Sequence, residues 1–283
     1  MCANKIFVAP SFCYGCTMHA PRSFEPIEPE LLMLAYRSGI FPMADSREDS
    51  EIFWVEPRLR AILPLDGFHL SHSLARTLRR GRFAVTCNEA FGQVMEACAA
   101  PRAAQATEDE GDDGRSWISY RIQASYENLH RLGAAHSIEC WQNAQDGSGR
   151  QLVGGLYGVG FDRVFCGESM FSRVPDASKV ALAWLIAALR RAGASLLDCQ
   201  FITPHLASLG AVEISQKNYL ALLQAAQSAP VSASAAGAGG EGAASADVLA
   251  LPEAFGLLLD EAASAGLASS PGKLIAQDLT QTS

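Results

Sequence analysis

Residues 165–200 constrain the fold more than any other stretch, because they have the pattern of two strands joined by a helix. Asp176 precedes the helical pattern as a candidate N-cap, and Gly193 follows it, where a left-handed residue readily ends a helix. A right-handed crossover would make the two strands parallel neighbours in one sheet. In chain order the predicted elements are a strand at 164–166, a turn at 167–176, a helix at 177–192 and a strand at 196–202.

Three polar side chains meet in this arrangement. Glu168 follows the first strand, and Asp198 and Gln200 lie two residues apart, which places them on one face of the second strand. Asp is depleted in strands, and carboxylates are rarely buried without partners. The sequence therefore predicts a polar site here. The alternative is that Asp198 only accepts hydrogen bonds from a loop backbone.

Length and composition predict two domains. The chain has 283 residues, of which 49% are hydrophobic, and domains commonly hold about 100 to 200 residues. We expect residues 1–29 to be irregular, residues 30–66 to form a small N-terminal domain and residues 67–228 to form the main α/β domain. Residues 229–283 begin as a flexible Ala/Gly/Ser linker and continue as a mostly disordered tail, in which apolar spacing at 251–265 indicates one lone helix.

Shorter elements frame the central unit. Residues 40–43 are predicted to form an exposed apolar turn, after a helix that Gly39 ends. The remaining predictions are helices at 30–38, from 71, at 90–99, 120–132 and 218–226, strands at 53–55, 61–64 and 85–88, and a hairpin of 136–142 with 151–158.

The sequence carries no clear targeting or metal signal. No apolar run approaches the roughly 18 residues of a membrane span, and residues 1–24 lack the pattern of a secretion signal. The eight cysteines lack the spacing of a disulfide framework, which favours reduced thiols. Cys13 and Cys16, with His19, look like half a zinc site, but no second pair follows at ligand spacing. We expect a cytoplasmic protein without a metal.

Charge argues against a protein that coats nucleic acid by bulk attraction, because the formal net charge is −8. Much of the acid lies in residues 108–113, which we expect to form a solvated loop. A local basic patch remains, formed by Arg76, Arg79, Arg80 and Arg82 on and just after one helix. These arginines could bind phosphates, but arginines at a helix C-terminus also complement the helix dipole. The sequence leaves both interpretations open.

A series of motifs runs in order over about residues 31–223. The motifs are Phe41-Pro42, Phe91-Gly-Gln-Val94, Trp117-Ile118, His136-Ser-Ile-Glu-Cys-Trp141, Leu152-Val-Gly-Gly-Leu-Tyr-Gly158, Gly167-Glu-Ser-Met-Phe-Ser-Arg173, Ala177-Ser-Lys179, Asp198-Cys-Gln200 and Ser208-Leu-Gly210. Together they resemble the leucyl/phenylalanyl-tRNA-protein transferase family. Departures from the family pattern occur at Met43, at 53–60 and at Leu156, and they weaken detailed expectations about adenosine stacking by the first domain.

The resemblance implies a bacterial cytosolic enzyme with a GNAT-like catalytic domain behind a small N-terminal domain. Such an enzyme moves Leu or Phe, and less readily Met, from Leu-tRNA or Phe-tRNA to the N-terminal amine of proteins that begin with Arg or Lys. The added residue marks the acceptor for degradation. The resemblance implies no cofactor, and neither DNA nor a membrane as a partner.

The resemblance also assigns residues. It makes Glu168, Asp198 and Gln200 the polar centre. Trp117 would stack on the terminal adenine of the tRNA. The side-chain pocket would be walled by Leu156, Met170, Leu182 and Leu197, with Tyr126 beside it.

An aminoacyl ester is already activated, so its aminolysis needs only proximity, a neutral amine and a place for developing charge. We expect Asp198 to attract the acceptor ammonium and to take or relay its proton, and Gln200 to orient the amine. Glu168 would anchor a cation. That cation is either the aminoacyl ammonium or the basic side chain of the acceptor.

Two other functions would place different demands on the sequence. An acyl-CoA-dependent N-acyltransferase would need a glycine-rich turn for the pyrophosphate, whereas the turn before the helix contains Pro175, which lacks an N–H, and Asp176, which repels anions. A non-catalytic module that binds tRNA or basic N-termini would not need Glu168, Asp198 and Gln200 together.

Overall fold

The computed structural model describes residues 25–101, 116–144, 147, 149–228 and 249–280. Its helices are α1 (Pro29–Arg37), α2 (His72–Arg79), α3 (Phe91–Ala99), α4 (Tyr120–Arg131), α5 (Ala177–Arg191), α6 (Pro204–Ser208), α7 (Gln216–Ser228), α8 (Leu251–Ser264) and α9 (Gly272–Thr280). Its strands are β1 (Phe41–Met43), β2 (Phe53–Val55), β3 (Leu59–Ile62), β4 (Ala84–Cys87), β5 (Ala135–Asn143), β6 (Arg150–Phe161), β7 (Val164–Ser172), β8 (Leu196–Gln200) and β9 (Val212–Ser215). The Cys13/Cys16 pair, the acidic run at 108–113 and the Ala/Gly/Ser linker lie outside the described residues.

One mixed sheet organises the described chain, with its strands in the order β4-β5-β6-β7-β8-β3-β9. β7 and β8 pair in parallel, and α5 lies between them in the chain. The other neighbours pair antiparallel. The predicted strand, helix and strand unit is therefore confirmed, and so is the predicted hairpin, which is β5 with β6. The fold combines α and β structure around a single large sheet.

Apolar clusters cover both faces of the central strands, and β7 shows how the chain divides between them. Phe165 belongs to the apolar cluster that contains α2, α5, α8 and α9. Val164 and Cys166 belong to the cluster that contains α1, α3, α4 and α7. Alternate residues of a strand point to opposite faces, so the apolar run at 164–166 supplies both clusters.

The prediction of an exposed apolar turn at residues 40–43 was wrong. Residues 41–43 form strand β1, which pairs antiparallel with β2, and Phe41 and Pro42 are buried. Phe41 packs edge-on against Phe201, with ring centroids 5.8 Å apart. A short apolar run beside a glycine fits either a turn or a strand, and tertiary contacts decide between them.

The region predicted as a small N-terminal domain also contributes to the main sheet. β3 lies between β8 and β9 and pairs antiparallel with both. It therefore connects the first sixty residues of the chain directly to the strand that carries Asp198. The division of the chain into domains stays a prediction.

The prediction of a turn at 167–176 was wrong for its first half and for Asp176 as the helix cap. β7 continues to Ser172 because residues 164–172 pair along β6, with Met170 packed on one cluster and Phe171 on the other. Asp176 has φ of 72° and makes no capping hydrogen bond to α5. Its carboxylate instead accepts from the Thr77 hydroxyl at 3.1 Å, which holds α2 against the start of α5.

The end of the chain is more ordered than its sequence suggests. α8 packs against α5, and α9, where disorder is predicted, packs against α2 and α5. Buried residues of these two helices include Leu258 and Ile275, which belong to the α5 cluster. Short helices depend on tertiary packing for their stability, and a linear apolar pattern does not reveal that partner. Among the described residues, no helix has the length and apolar character of a membrane span.

Candidate active site

Glu168 lies at an irregularity in β7 rather than past the end of the strand. Tyr157 pairs with Ser169 and Gly158 pairs with Gly167, so Glu168 is the extra residue between two paired positions. A β-bulge of this kind redirects a side chain. The Glu168 side chain points into the interior, where one oxygen accepts from the Tyr126 hydroxyl at 3.1 Å and the other from Gln200 Nε2 at 2.8 Å.

Asp198 lies at the centre of a closed hydrogen-bond network. Its Oδ1 accepts from Arg60 Nε at 2.9 Å and from the Gln200 backbone N–H at 2.9 Å. Its Oδ2 accepts from Arg60 Nη2 at 2.6 Å and from the Tyr219 hydroxyl at 3.0 Å. A carboxylate offers about four acceptor positions, so these four bonds saturate Asp198. Its side chain is 0% exposed, and a substrate amine has no free acceptor position there.

Arg60 is a residue of the candidate site that the sequence did not predict. It lies on β3, next to β8, and its guanidinium also donates to the carbonyl of Gly39 at 3.0 Å. The guanidinium carbon lies 4.8 Å from the ring centroid of Phe41 and 4.4 Å from that of Tyr219. Burial lowers the pKa of Arg60 and hydrogen bonding to Asp198 raises it, and the net effect is a rise. The signal available in the sequence was the buried Asp198 itself, which requires a cation or several donors.

Gln200 connects the two carboxylates. Its backbone N–H binds Asp198 and its side-chain amide binds Glu168. Its φ is 55°, a left-handed conformation that few residues other than glycine adopt. Strained backbone of this kind persists where the surroundings fix it, often at functional sites. The Asp198 carboxylate fixes the Gln200 backbone, and the Gln200 side chain is thereby aimed at Glu168.

Glu168 has the electrostatics of a group that exchanges a proton near neutral pH. Burial raises the pKa of Glu168 to about 7, although hydrogen bonding from Tyr36 opposes the rise. Burial also raises the pKa of Tyr36 and of Tyr126, so both phenols stay protonated and donate. The Tyr36 and Tyr126 hydroxyls are themselves hydrogen-bonded to each other. The result is a buried hydrogen-bonded chain from Tyr36 through Tyr126 to Glu168.

The predicted apolar pocket residues lie together on the α5 side of the sheet. The three leucines, Leu156, Leu182 and Leu197, are buried in one cluster, and Met170 packs against it. Leu156 and Met170 are direct partners across β6 and β7. Glu168 lies on β7 two residues before Met170, so the polar centre and this apolar cluster share one strand.

Tyr126 and Trp117 lie in the cluster on the other side of the sheet. Tyr126 is fully buried and binds Glu168, so it belongs to the polar centre more closely than the sequence indicates. Trp117 is partly exposed and packs against that same cluster. Its carbonyl accepts from the backbone N–H of Ala44, next to β1. Trp117 is therefore a partly exposed residue beside the small β1–β2 sheet.

The four arginines form a basic surface on and after α2. Leu74, Ala75 and Leu78 face the core, whereas Arg76, Arg79, Arg80 and Arg82 are exposed. The helix predicted from residue 71 is confirmed as α2. Ser71 caps its start by accepting from the Leu74 N–H at 3.2 Å.

Comparison with known proteins identifies the family. Residues 62–224 match the family model described as leucyl/phenylalanyl-tRNA protein transferase, and residues 25–58 match the one described as its N-terminal domain. The chain belongs to this family. It is therefore a transferase, and the resemblance seen in the motifs is confirmed. The matched residues 62–224 include Glu168, Asp198 and Gln200. Arg60 lies in the short gap between the two matches.

Individual relatives agree. The leucyl/phenylalanyl-tRNA–protein transferase of Novosphingobium aromaticivorans is 61% identical over 272 residues, which cover 91% of this chain and 97% of that protein. The protein of the same name from Rhizorhabdus wittichii is 55% identical over 75% of this chain and 79% of its own length. That from Zymomonas mobilis is 56% identical over 71% of this chain and 70% of its own length.

Proposed function

We propose that this transferase moves leucine or phenylalanine, and less readily methionine, from aminoacyl-tRNA to the N-terminal amine of proteins that begin with Arg or Lys. The new N-terminus would mark the acceptor for degradation in the bacterial cytoplasm, and the catalytic part would be GNAT-like. The relatives' names supply the two substrate classes. The observation that carries the chemistry is the buried Glu168, bonded to Gln200 and Tyr126 on the strand that also bears Met170.

The reaction is the aminolysis of an ester. The acceptor nitrogen attacks the aminoacyl carbonyl, the new C–N bond forms, and the C–O bond to the tRNA ribose breaks. The nitrogen enters as an ammonium and loses two protons in all, of which one reaches the ribose oxygen and the other is released to solvent. A group with a pKa of about 7 can both accept a proton from the nitrogen and deliver one to the ribose oxygen, because the acceptor α-amine itself has a pKa of about 7.7 to 8.0 in model compounds.

We propose Glu168 as that group, which changes the roles expected from sequence. Asp198 remains part of the catalytic centre, but its oxygens are taken by Arg60, Tyr219 and the Gln200 backbone. It therefore acts by positioning Gln200. Ionised Glu168 would attract the acceptor ammonium and then accept its proton, and Gln200 would orient the amine.

Substrate selection would come from two surfaces. Leu156, Met170, Leu182 and Leu197 would receive the aminoacyl side chain, and apolar walls discriminate by about 1 to 3 kcal/mol per methylene. That magnitude fits a site that accepts several large apolar side chains and binds glycine or alanine too weakly to use them. The tRNA would be held by phosphate contacts from the four arginines of α2 and by stacking of its terminal adenine on Trp117.

Transfer from labelled Leu-tRNA to a peptide that begins with Arg tests this function. Parallel reactions would replace the donor with acetyl-CoA, and the acceptor with the same peptide beginning with Asp. We expect label on the Arg peptide from Leu-tRNA only. Label from acetyl-CoA would favour an acyl-CoA acyltransferase, and tRNA binding without any product would favour a non-catalytic module.

A further inference from the structure

The C-terminal helices lie beyond residues 62–224, which match the family, yet one of them reaches the basic surface. α9 begins directly against the last turn of α2. A Cβ on Gly272, the first residue of α9, would lie 2.4 Å from the carbonyl oxygen of Leu78. Only a glycine allows the two backbones to approach this closely. The approach is at the turn of α2 that carries Arg79 and precedes Arg80 and Arg82.

The contact also satisfies the open end of α2. Ser270 donates its hydroxyl hydrogen bond to the carbonyl of Arg79 at 3.0 Å. A Cβ on Gly81, which has φ of 58°, would lie 3.3 Å from the Ser270 hydroxyl oxygen. The last carbonyls of a helix have no partner within the helix itself. The segment before α9 supplies one of those partners at Arg79, the second of the four arginines.

Ion pairs and apolar packing fix α9 in turn. Arg190 Nη1 lies 3.6 Å from Asp278 Oδ2, and Arg191 Nη2 lies 3.9 Å from Asp278 Oδ1. Ile275 and Leu279 of α9 are buried in the α5 cluster. α9 therefore bridges the rigid helix α5 and the short helix α2.

α2 needs such support because it is only eight residues long. Isolated helices shorter than about 12 to 15 residues are marginal in water. We propose that α9 is a positioning element for tRNA binding. By holding the end of α2, it fixes the position of the backbone that carries Arg79, Arg80 and Arg82, so that these side chains reach the tRNA phosphates. This inference rests on the proposed function, in which the α2 arginines bind tRNA.

The chain offers a matched pair of glycines for the test. Gly272→Ala places a methyl group against the α2 backbone, whereas Gly256→Ala places one on α8, where a Cβ meets no atom within 4 Å. In the full-length protein, we expect Gly272→Ala to raise the Kd and the KM for Leu-tRNA about tenfold. We also expect it to flatten the dependence of log Kd on log salt, while kcat at saturating tRNA is retained. Gly256→Ala should behave as wild type.

A purely structural role for α9 predicts a different result. In that case Gly272→Ala lowers the amount of active protein, and hence kcat, while the Kd of the folded fraction and its salt slope stay at the wild-type values. That outcome overturns the proposal. If Gly272→Ala does not fold, Ser270→Ala decides instead, because it removes one hydrogen bond to α2 without a clash, and an unchanged salt slope then contradicts the proposal.

The same measurements separate this inference from the proposed function. Arg76→Gln with Arg79→Gln is measured in parallel. If that double variant binds tRNA as tightly as wild type, the basic surface is not the tRNA site. If it weakens binding while Gly272→Ala and Ser270→Ala do not, only the positioning role of α9 is wrong.

Discussion

Arg60 and Asp198 form a two-point ion pair across neighbouring strands, and their side chains are only 1% and 0% exposed. Removing one partner of a buried pair leaves an uncompensated charge, which commonly destabilises a protein by about 3 to 5 kcal/mol. This relationship joins the first part of the chain to the proposed catalytic centre. It also explains why the Asp198 carboxylate is occupied before any substrate binds.

The first prediction concerns this pair. Asp198→Asn and Arg60→Met should each lower the free energy of unfolding by about 3 to 5 kcal/mol. The double variant removes both charges, so it should be more stable than the sum of the two losses implies. Its turnover should stay low, because Gln200 has lost the carboxylate that fixes its backbone. Urea unfolding and single-turnover transfer measure the two effects, and strictly additive losses of stability would show that the pair is not coupled.

The second prediction concerns the basic surface of α2. Arg76→Gln with Arg79→Gln should flatten the slope of log Kd for tRNA against log salt by about 0.7 to 0.9 for each lost phosphate contact. Arg131→Gln is the matched control, because Arg131 is also exposed in the last turn of a helix, α4. Both arginine positions complement a helix dipole, and only the α2 pair should change tRNA binding. Equal slopes for all three proteins would mean that the α2 arginines serve the helix alone.

The third prediction concerns stability at acid pH and depends on His136. Burial, followed by the nearby charge of His130, lowers the pKa of His136 to about 4. Its Nδ1 lies 3.0 Å from Asn88 Nδ2, and its ring packs near Gly160. Between pH 4 and 6.5 the unfolded chain binds the proton more readily than the folded chain does, so this group makes stability rise with pH.

Glu168 acts in the opposite direction, because its pKa is raised to about 7. Between about pH 4.5 and 7 the folded state holds this proton better, so its contribution to stability falls as pH rises. The wild-type profile should therefore be flatter than either contribution alone. The stability difference between wild type and His136→Gln should grow by about 3 kcal/mol from pH 4 to 6.5. A difference that does not vary with pH would show that His136 titrates normally.

Much of the central fold follows from local sequence signals. Gly193 ends α5 with φ of 72°, and the apolar runs on either side of the helix form parallel strands, as the sequence predicts. The grouping of Glu168 and Gln200 also follows, because strand geometry and crossover handedness are local rules. What fails is anything decided by distant contacts. Arg60 and Asp198 are 138 residues apart in the chain, and no pattern near either residue specifies the partner.

Two further failures have the same cause. Asp176 has the composition of a helix cap, but the αL backbone at that position turns its carboxylate towards Thr77 of α2. α9 has too few residues to be stable alone, and its order comes from α2 and α5, which lie far away in sequence. The bulge at Glu168 belongs to the same class, because it appears only when β7 is paired with β6.

The last prediction tests the central claim, that Glu168 accepts the proton of the attacking amine. Single-turnover transfer of leucine from Leu-tRNA to an Arg peptide, measured from pH 5.5 to 8.5 with both substrates saturating, isolates the chemical step. The wild-type rate should fall as pH drops through about 7, because protonated Glu168 cannot accept a proton.

Glu168→Gln should reduce the rate by about 10² to 10⁴ at pH 7.5 and should abolish that inflection. Glu213→Gln, an exposed change of the same charge on β9, should leave both the rate and the profile unchanged. The decisive measurement is thus the pH profile of single-turnover transfer by Glu168→Gln beside wild type. A slow rate that lacks the inflection near pH 7, and rises only as the acceptor amine itself deprotonates near its pKa of about 7.7 to 8.0, supports the account. A near-wild-type rate that keeps its inflection near pH 7 contradicts it.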